Sequence, residues 1–227
     1  MDETPVTELF YIRHAQSQGN CGGAVNGEDY PLDDPPLTVQ GVEQARLCAQ
    51  RMARGRLDAV YSSPLERAVH TAHEIALLQG GMPVIILPDL MEEGTSHLTA
   101  GCPVNKLKAE YPLAVPAVSE PSLTGGALTL PQNESYEQAT QRAKRVVDYI
   151  RAHHTGGQRA ALVSHGGFFG FVMRYALALG DEDVFRWSIN NTSVTKIKYY
   201  PTKKPKLSYA NDTTHLAAMF PDWTYTI

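Results

Sequence analysis

The chain has 227 residues, 43% of them hydrophobic and 19% charged, with a formal net charge of −4. That length suffices for a large α/β domain with a sizeable core, in the composition range of soluble globular proteins. The absence of a basic run argues against nucleic acid or an anionic membrane as partner; no apolar stretch approaches a membrane span; and three scattered cysteines, Cys21, Cys48 and Cys102, form no disulfide framework.

Along the chain, short apolar runs alternate with longer amphipathic stretches, the pattern of βαβ units on a mainly parallel sheet. The opening MDETPVTELF is acidic and polar, unlike a signal or transit peptide, so a cytoplasmic address is expected. Residues 8–12 read as the first strand, and Thr38 opens a helix through about Ala53. Residues 57–61 read as a strand and 63–78 as a helix, with Ser63 at the cap, Pro64 at the first position and Glu66 three after the cap. A third strand is expected at 84–87, a polar-faced helix at 134–154 and a strand at 160–163. Gly166-Gly167 then leads into an apolar helix ending near Gly180, and 194–200 read as a late strand. The stretch 94–133, rich in Pro, Gly and Leu, has no clear period and reads as an insertion or cap over one edge. The expected fold is a single α/β domain over 1–227: three layers, a mainly parallel central sheet and helices on both faces.

Three strand-to-helix junctions carry the chemistry. Arg13-His14-Ala15-Gln16-Ser17-Gln18-Gly19-Asn20 begins where the first strand stops, Ser62-Ser63-Pro64-Leu65-Glu66-Arg67 follows the second, and Ser164-His165-Gly166-Gly167 follows the strand at 160–163. In a parallel sheet such junctions share one edge, where ligands bind in open α/β folds. A histidine there can serve as nucleophile, and arginines can hold an anion bidentately. Ser17 and Asn20 add short polar groups suited to a phosphate oxygen, and helix N-termini favour the same charge. Arg13, His14, Arg67 and His165 on one edge therefore suit a dianionic phosphate. Other patterns read as ordinary structure. Cys48 and Arg54 have the Cys-x5-Arg spacing but fall inside a helix, and Asp181-Glu182-Asp183 has no apolar strand ahead of it. His153-His154 reads as surface at a helix C-terminus, His70 and His73 as the exposed side of a helix, and Phe168, Phe169 and Phe171 as core, with one of them able to flank the pocket.

These blocks resemble the histidine phosphatase family, the phosphoglycerate-mutase-like proteins. The resemblance rests on Arg13-His14-Ala15 with Ser17 and Asn20, on Asp34-Pro35-Pro36-Leu37-Thr38 with Gly41, and on Tyr61-Ser62-Ser63-Pro64-Leu65-Glu66-Arg67-Ala68. Val163-Ser164-His165-Gly166-Gly167 and, more weakly, Asn191-Thr192-Ser193 complete it. It implies His14 as nucleophile, a phosphate pocket of Arg13, Asn20, Arg67 and His165, and stabilisation of the transferring group by His165. It also implies a proton-donating Glu shortly after the third strand. Leu90-Met91-Glu92 fits that context, with Glu93 as the alternative. A carboxyl beside a dianion is favoured in its neutral, proton-giving form. With the positive groups already in place, no metal or cofactor is expected, and the expected partner is a small phosphorylated substrate. Mutases of the family carry arginines in the insertion after the acid, whereas 94–133 holds only Lys106 and Lys108, which favours phosphatase over mutase. A phosphate-binding pseudoenzyme is disfavoured because the nucleophile, the arginines and the acid are all present. The loop 21–36 carries Glu28, Asp29, Asp33 and Asp34 and no basic residue; Asp34, in a context resembling a family loop, reads as structural, and the other three carboxylates are expected to form an acidic rim that disfavours polyanionic substrates.

Overall fold

The computed structural model describes residues 4–21, 24–25, 28–29, 34–93, 100–117, 127–129, 133–179 and 187–220. The chain opens with β1 (Thr7–Arg13), the short strands β2 (Ala24–Val25) and β3 (Glu28–Asp29), α1 (Val39–Met52) and β4 (Ala59–Ser62). It continues through α2 (Glu66–Leu78), β5 (Val84–Ile86), β6 (Ala100–Pro103), α3 (Val104–Glu110), β7 (Ala114–Pro116) and β8 (Ala127–Thr129). Then come α4 (Tyr136–His153), β9 (Gln158–Ser164), α5 (Gly166–Ala176), β10 (Val194–Tyr199) and β11 (Lys206–Asp212).

Seven strands form the central sheet in the order β11-β10-β1-β9-β4-β5-β7. The pairs β1–β9, β9–β4, β4–β5 and β5–β7 are parallel, while β10 and β11 add antiparallel pairings at one side. Side chains alternate across each strand, so β1 sends Phe10 and Ile12 into one core and Leu9 and Tyr11 into the other. The first core packs α1 and α2 on the sheet through Cys48, Ala49, Ala72 and Ile75; the second packs α4 and α5 through Val146, Ile150, Phe169 and Val172. Three layers result, as expected.

Several details differ from the expectations. α2 starts at Glu66, not Ser63, and its N-cap Leu65 makes no side-chain cap. The orphan amide of Glu66 is satisfied instead by Asp34, whose two carboxylate oxygens accept it at 3.0 and 2.9 Å. Thr38 does cap α1, accepting from Gly41 N at 2.9 Å. Glycine is required at 41 because a Cβ there would strike the Gln16 carbonyl oxygen, so the helix start sits directly on the loop after His14. α5 stops at Ala176, and the left-handed residue near its end is Ala178 (φ 53°). Gly180, Asp181, Glu182 and Asp183 lie outside the described residues.

Within 94–133, the described residues 100–117 and 127–129 belong partly to the main fold. β6 and β8 form a separate two-stranded ribbon, but β7 pairs with β5 at the edge of the main sheet, and Leu107 of α3 enters the α1–α2 core. β11, an edge strand in which exposed and half-buried residues alternate, carries only Leu207 and Tyr209 as apolar alternation, too short a pattern to reveal it. His154 is buried rather than on the surface, its Nε2 2.9 Å from Tyr61 Oη; His70 and His73 are half-buried against the Tyr111 ring.

Candidate active site

The register of the sheet brings the three junctions together. Arg13 pairs with Ser164 and Ser62 with Val163; beyond those pairs, His14 N donates to Ser164 O (2.9 Å) and Ser63 N to Val163 O (3.0 Å). His14, Ser63 and His165 therefore leave the sheet side by side, and the His14 and His165 rings lie 5.1 Å apart.

His14 is 3% exposed and His165 fully buried. His14 Nδ1 donates to Ala15 O at 2.7 Å, a tautomer that leaves the Nε2 lone pair for chemistry. Burial first, then the Arg67 and Arg13 guanidinium groups, hold its pKa well below the ordinary 6.5. Burial, Arg67, His14 and Arg13 do the same to His165. Both rings are neutral at physiological pH. His165 Nε2 meets Ser63 Oγ at 2.8 Å, while His165 Nδ1 and Arg13 Nε are buried without a hydrogen-bond partner among the described residues. Orphaned buried nitrogens cost about 1–3 kcal/mol each unless a ligand meets them. Arg13 Nη1 donates to Ile189 O at 2.6 Å. Arg67, 6% exposed, stands 3.5 Å from Asp34, whose carboxyl burial pushes up to about 7. Asp34 is thus a half-buried structural partner of α2 and Arg67, in line with the structural reading of its loop; Asp33 lies outside the described residues.

Ser17 and Asn20 are bonded to one another: Ser17 N and Oγ both donate to Asn20 Oδ1, at 3.0 and 3.2 Å. The structure thus places Ser17 as a brace on the acceptor end of the Asn20 amide. Asn191 Nδ2 donates to His14 O at 2.9 Å and reaches Asn20 Oδ1 at 3.4 Å. Its neighbour Thr192, held at φ 54°, donates its amide to Arg13 O at 3.0 Å. A β-branched residue in the left-handed region is strained, and here the strained turn locks the backbone of Arg13 and His14.

Glu92 sits at the start of α5. Its carboxylate accepts from Phe168 N (2.8 Å), Gly167 N (3.2 Å) and Glu93 N (3.0 Å). Glu93 is half-buried, and burial together with Glu92 and Glu134 raises its pKa. The segment carrying both is tied down by Arg142, which is 1% exposed. Arg142 Nη1 donates to Asp89 O and Met91 O at 2.8 and 2.7 Å; its Nε and Nη2 pair with Glu134 at 2.7 and 2.6 Å, and the guanidinium stacks 4.0 Å over Phe168. Sequence reasoning missed the roles of Arg142 and Asn191 and the partners of Asp34; the contacts that reveal them are tertiary.

A sequence profile of the histidine phosphatase superfamily, branch 1, matches residues 9–213. The chain belongs to that superfamily. Phosphoserine phosphatase 1 of Hydrogenobacter thermophilus is 33% identical to this histidine phosphatase chain over 164 residues, covering 70% of it and 71% of the relative. The metal-independent phosphoserine phosphatase of Arabidopsis thaliana is 30% identical over 171 residues, 73% of this chain and 66% of that one. Further relatives carry phosphoglycerate mutase names. The crystal structure of a phosphoserine phosphatase mutant from Entamoeba histolytica, in complex with phosphoserine, aligns with a TM-score of 0.63 over 92% of this chain and 99% of that one. At 22% identity this likeness speaks for the fold.

The histidines also set how stability responds to pH. His14, His70, His73, His154, His165 and His215 all have pKa values lowered from 6.5, chiefly by burial, His215 to about 4. Unfolding lets each take up a proton near pH 6.5, so below that pH the unfolded chain binds more protons and stability falls. Asp34 works the other way: raised from 3.8 to about 7, it favours the folded state as pH drops through that window. Glu93, also raised, acts in the same sense; two carboxyls oppose six imidazoles, and the melting temperature is expected to be lower at pH 5 than at pH 7. An equal or higher value at pH 5 would contradict the burial of these rings.

Proposed function

We propose that this chain is a metal-independent phosphomonoesterase that hydrolyses a small phosphorylated metabolite through a phosphohistidine at His14. The observation that carries the reading is the grouping at one sheet edge of the buried Arg67, the half-buried Arg13 and two neutral histidines, with Arg13 Nε and His165 Nδ1 buried and without a partner among the described residues. A phosphomonoester is close to dianionic at neutral pH, and such a group satisfies the charges and the orphaned Arg13 Nε donor together.

The steps follow from that placement. Arg13, Arg67, Asn20 and His165 hold the phosphoryl oxygens, and His14 Nε2 attacks phosphorus in line with the leaving oxygen. Glu92 gives its proton to the leaving alkoxide, then takes one from the water that hydrolyses the phosphohistidine. Arg142 fixes the backbone on which Glu92 rides. Replacing Glu92 by Gln is expected to slow alkyl phosphate hydrolysis by roughly 10²–10⁴-fold, the usual worth of a positioned acid. Esters with better leaving groups should suffer less. The same pattern in Glu93→Gln, with Glu92→Gln near wild type, would move the assignment by one residue.

Phosphatase rather than mutase chemistry is favoured by the lack of arginine across 94–133. The relatives named as phosphoserine phosphatases support the same choice. The direct experiment is phosphate release from a panel of phosphorylated metabolites in excess EDTA. Hydrolysis should persist, and vanadate should inhibit it. Activity that vanishes on chelation and returns with magnesium would refute the proposal, as would pure isomerisation of phosphoglycerate without release.

A further inference from the structure

Beside the phosphate site a cleft of about 640 Å³ runs along the outer face of α5. Gly166, Gly167, Gly170, Phe171 and Arg174 recur at helical spacing on that face, so its first turn carries no side chains. A Cβ on Gly166 would lie 3.4 Å from Arg13 Nε, and one on Gly167 would lie 2.8 Å from a Glu92 carboxylate oxygen. The cleft therefore starts where the phosphate site ends. Three aromatic side chains line it, beside Glu93 and Arg174. Tyr136, at the start of α4, is 57% exposed, with its ring 5.1 Å from that of Phe171. Trp187 stands over Gly170, its Cδ1 3.5 Å from a Cβ placed there, and is braced edge-on by Phe169 at 5.6 Å.

We infer that this cleft receives the leaving group of the phosphomonoester and that the leaving group carries an aromatic ring. The inference rests on the phosphatase reading and names its substrate class. Gly166 and Phe171 are five residues apart, about 7.5 Å along a helix rising 1.5 Å per residue. A ring bonded two carbons beyond the ester oxygen spans that distance, placing it in the cleft lined by Tyr136, Phe171 and Trp187. Ring pairs of this kind are stabilised beyond simple burial. A serine leaving group is too short to reach these walls and has no ring to place there, so the inference separates this chain from relatives named for phosphoserine.

The test compares 2-phenylethyl phosphate with ethyl phosphate and phosphoserine, all primary alkyl esters. In the wild-type protein kcat/KM for the ring-bearing ester should exceed both others by about tenfold or more, within the range that filling an apolar pocket supplies. Tyr136→Ala, at an exposed position, and Trp187→Leu, which keeps an apolar side chain against Phe169, should each cut that ratio by about threefold or more. A wild-type ratio at or below one overturns the inference and leaves the phosphatase reading standing. Failure to hydrolyse any of the three esters, or any phosphorylated metabolite, overturns both.

Discussion

Replacing His14 by Ala should lower phosphate release by about 10⁴-fold or more, the scale seen when a covalent nucleophile is removed. The expectation depends on what the substitution leaves intact. The backbone of residue 14 is held by its own N–H to Ser164 O, by Asn191 Nδ2 on its carbonyl and by the register of β1 with β9, none of which involves the imidazole. Arg13, Arg67 and His165 stay in place, so the variant should still bind vanadate or phosphate while failing to turn over. The fall should thus appear in kcat. Hydrolysis within tenfold of wild type would mean that another group attacks phosphorus.

Arg67→Ala should cost about 10³-fold in kcat/KM, at the upper end of what removing one preorganised donor to a developing oxyanion costs. Arg67 is buried in the first turn of α2, where the helix N-terminus adds to its field. Its carbonyl accepts from Thr71 Oγ1 at 2.7 Å, and the same hydroxyl accepts from Ala15 N at 3.0 Å, so the backbone of Arg67 is coupled to the loop that presents His14. Those contacts survive truncation of the side chain. Asp34 loses its cationic partner, but its carboxyl, already raised to about 7 by burial, can bind a proton instead of standing as a lone buried charge. Arg67→Lys retains the charge without the planar fork and should fall between Ala and wild type. Melting curves of both variants separate a catalytic loss from a loss of fold, and a loss of less than tenfold in Arg67→Ala would remove this residue from the proposed phosphate pocket.

The site was legible in the sequence where its logic is local. A histidine, an arginine or a glycine pair immediately after an apolar run marks a strand end, and parallel pairing then gathers those ends along one edge without further information. The polar supports were not legible, because each depends on a contact between distant segments. Asp34 caps α2 across 32 residues, and nothing near Ser63 shows that the expected capping residue would instead face His165. Arg142 reads as one more charge on a polar helix until the structure buries it under Phe168 and the 89–92 segment. His154 likewise takes its place from Tyr61, on a strand far ahead of it. Fold details failed for a related reason: β11 sits at the sheet edge, where its alternating half-buried positions hold only two apolar side chains, Leu207 and Tyr209, too few to stand out in the sequence. β7 was missed because it is only three residues long and lies in a stretch without period.

The central claim is that phosphorus passes through the imidazole of His14. Rapid-quench turnover with ³²P-labelled substrate, followed by peptide mapping, tests it directly. The account predicts label that is labile in acid, stable in alkali and confined to the peptide containing His14. Label on a serine or cysteine peptide, or on His165 in place of His14, would contradict it.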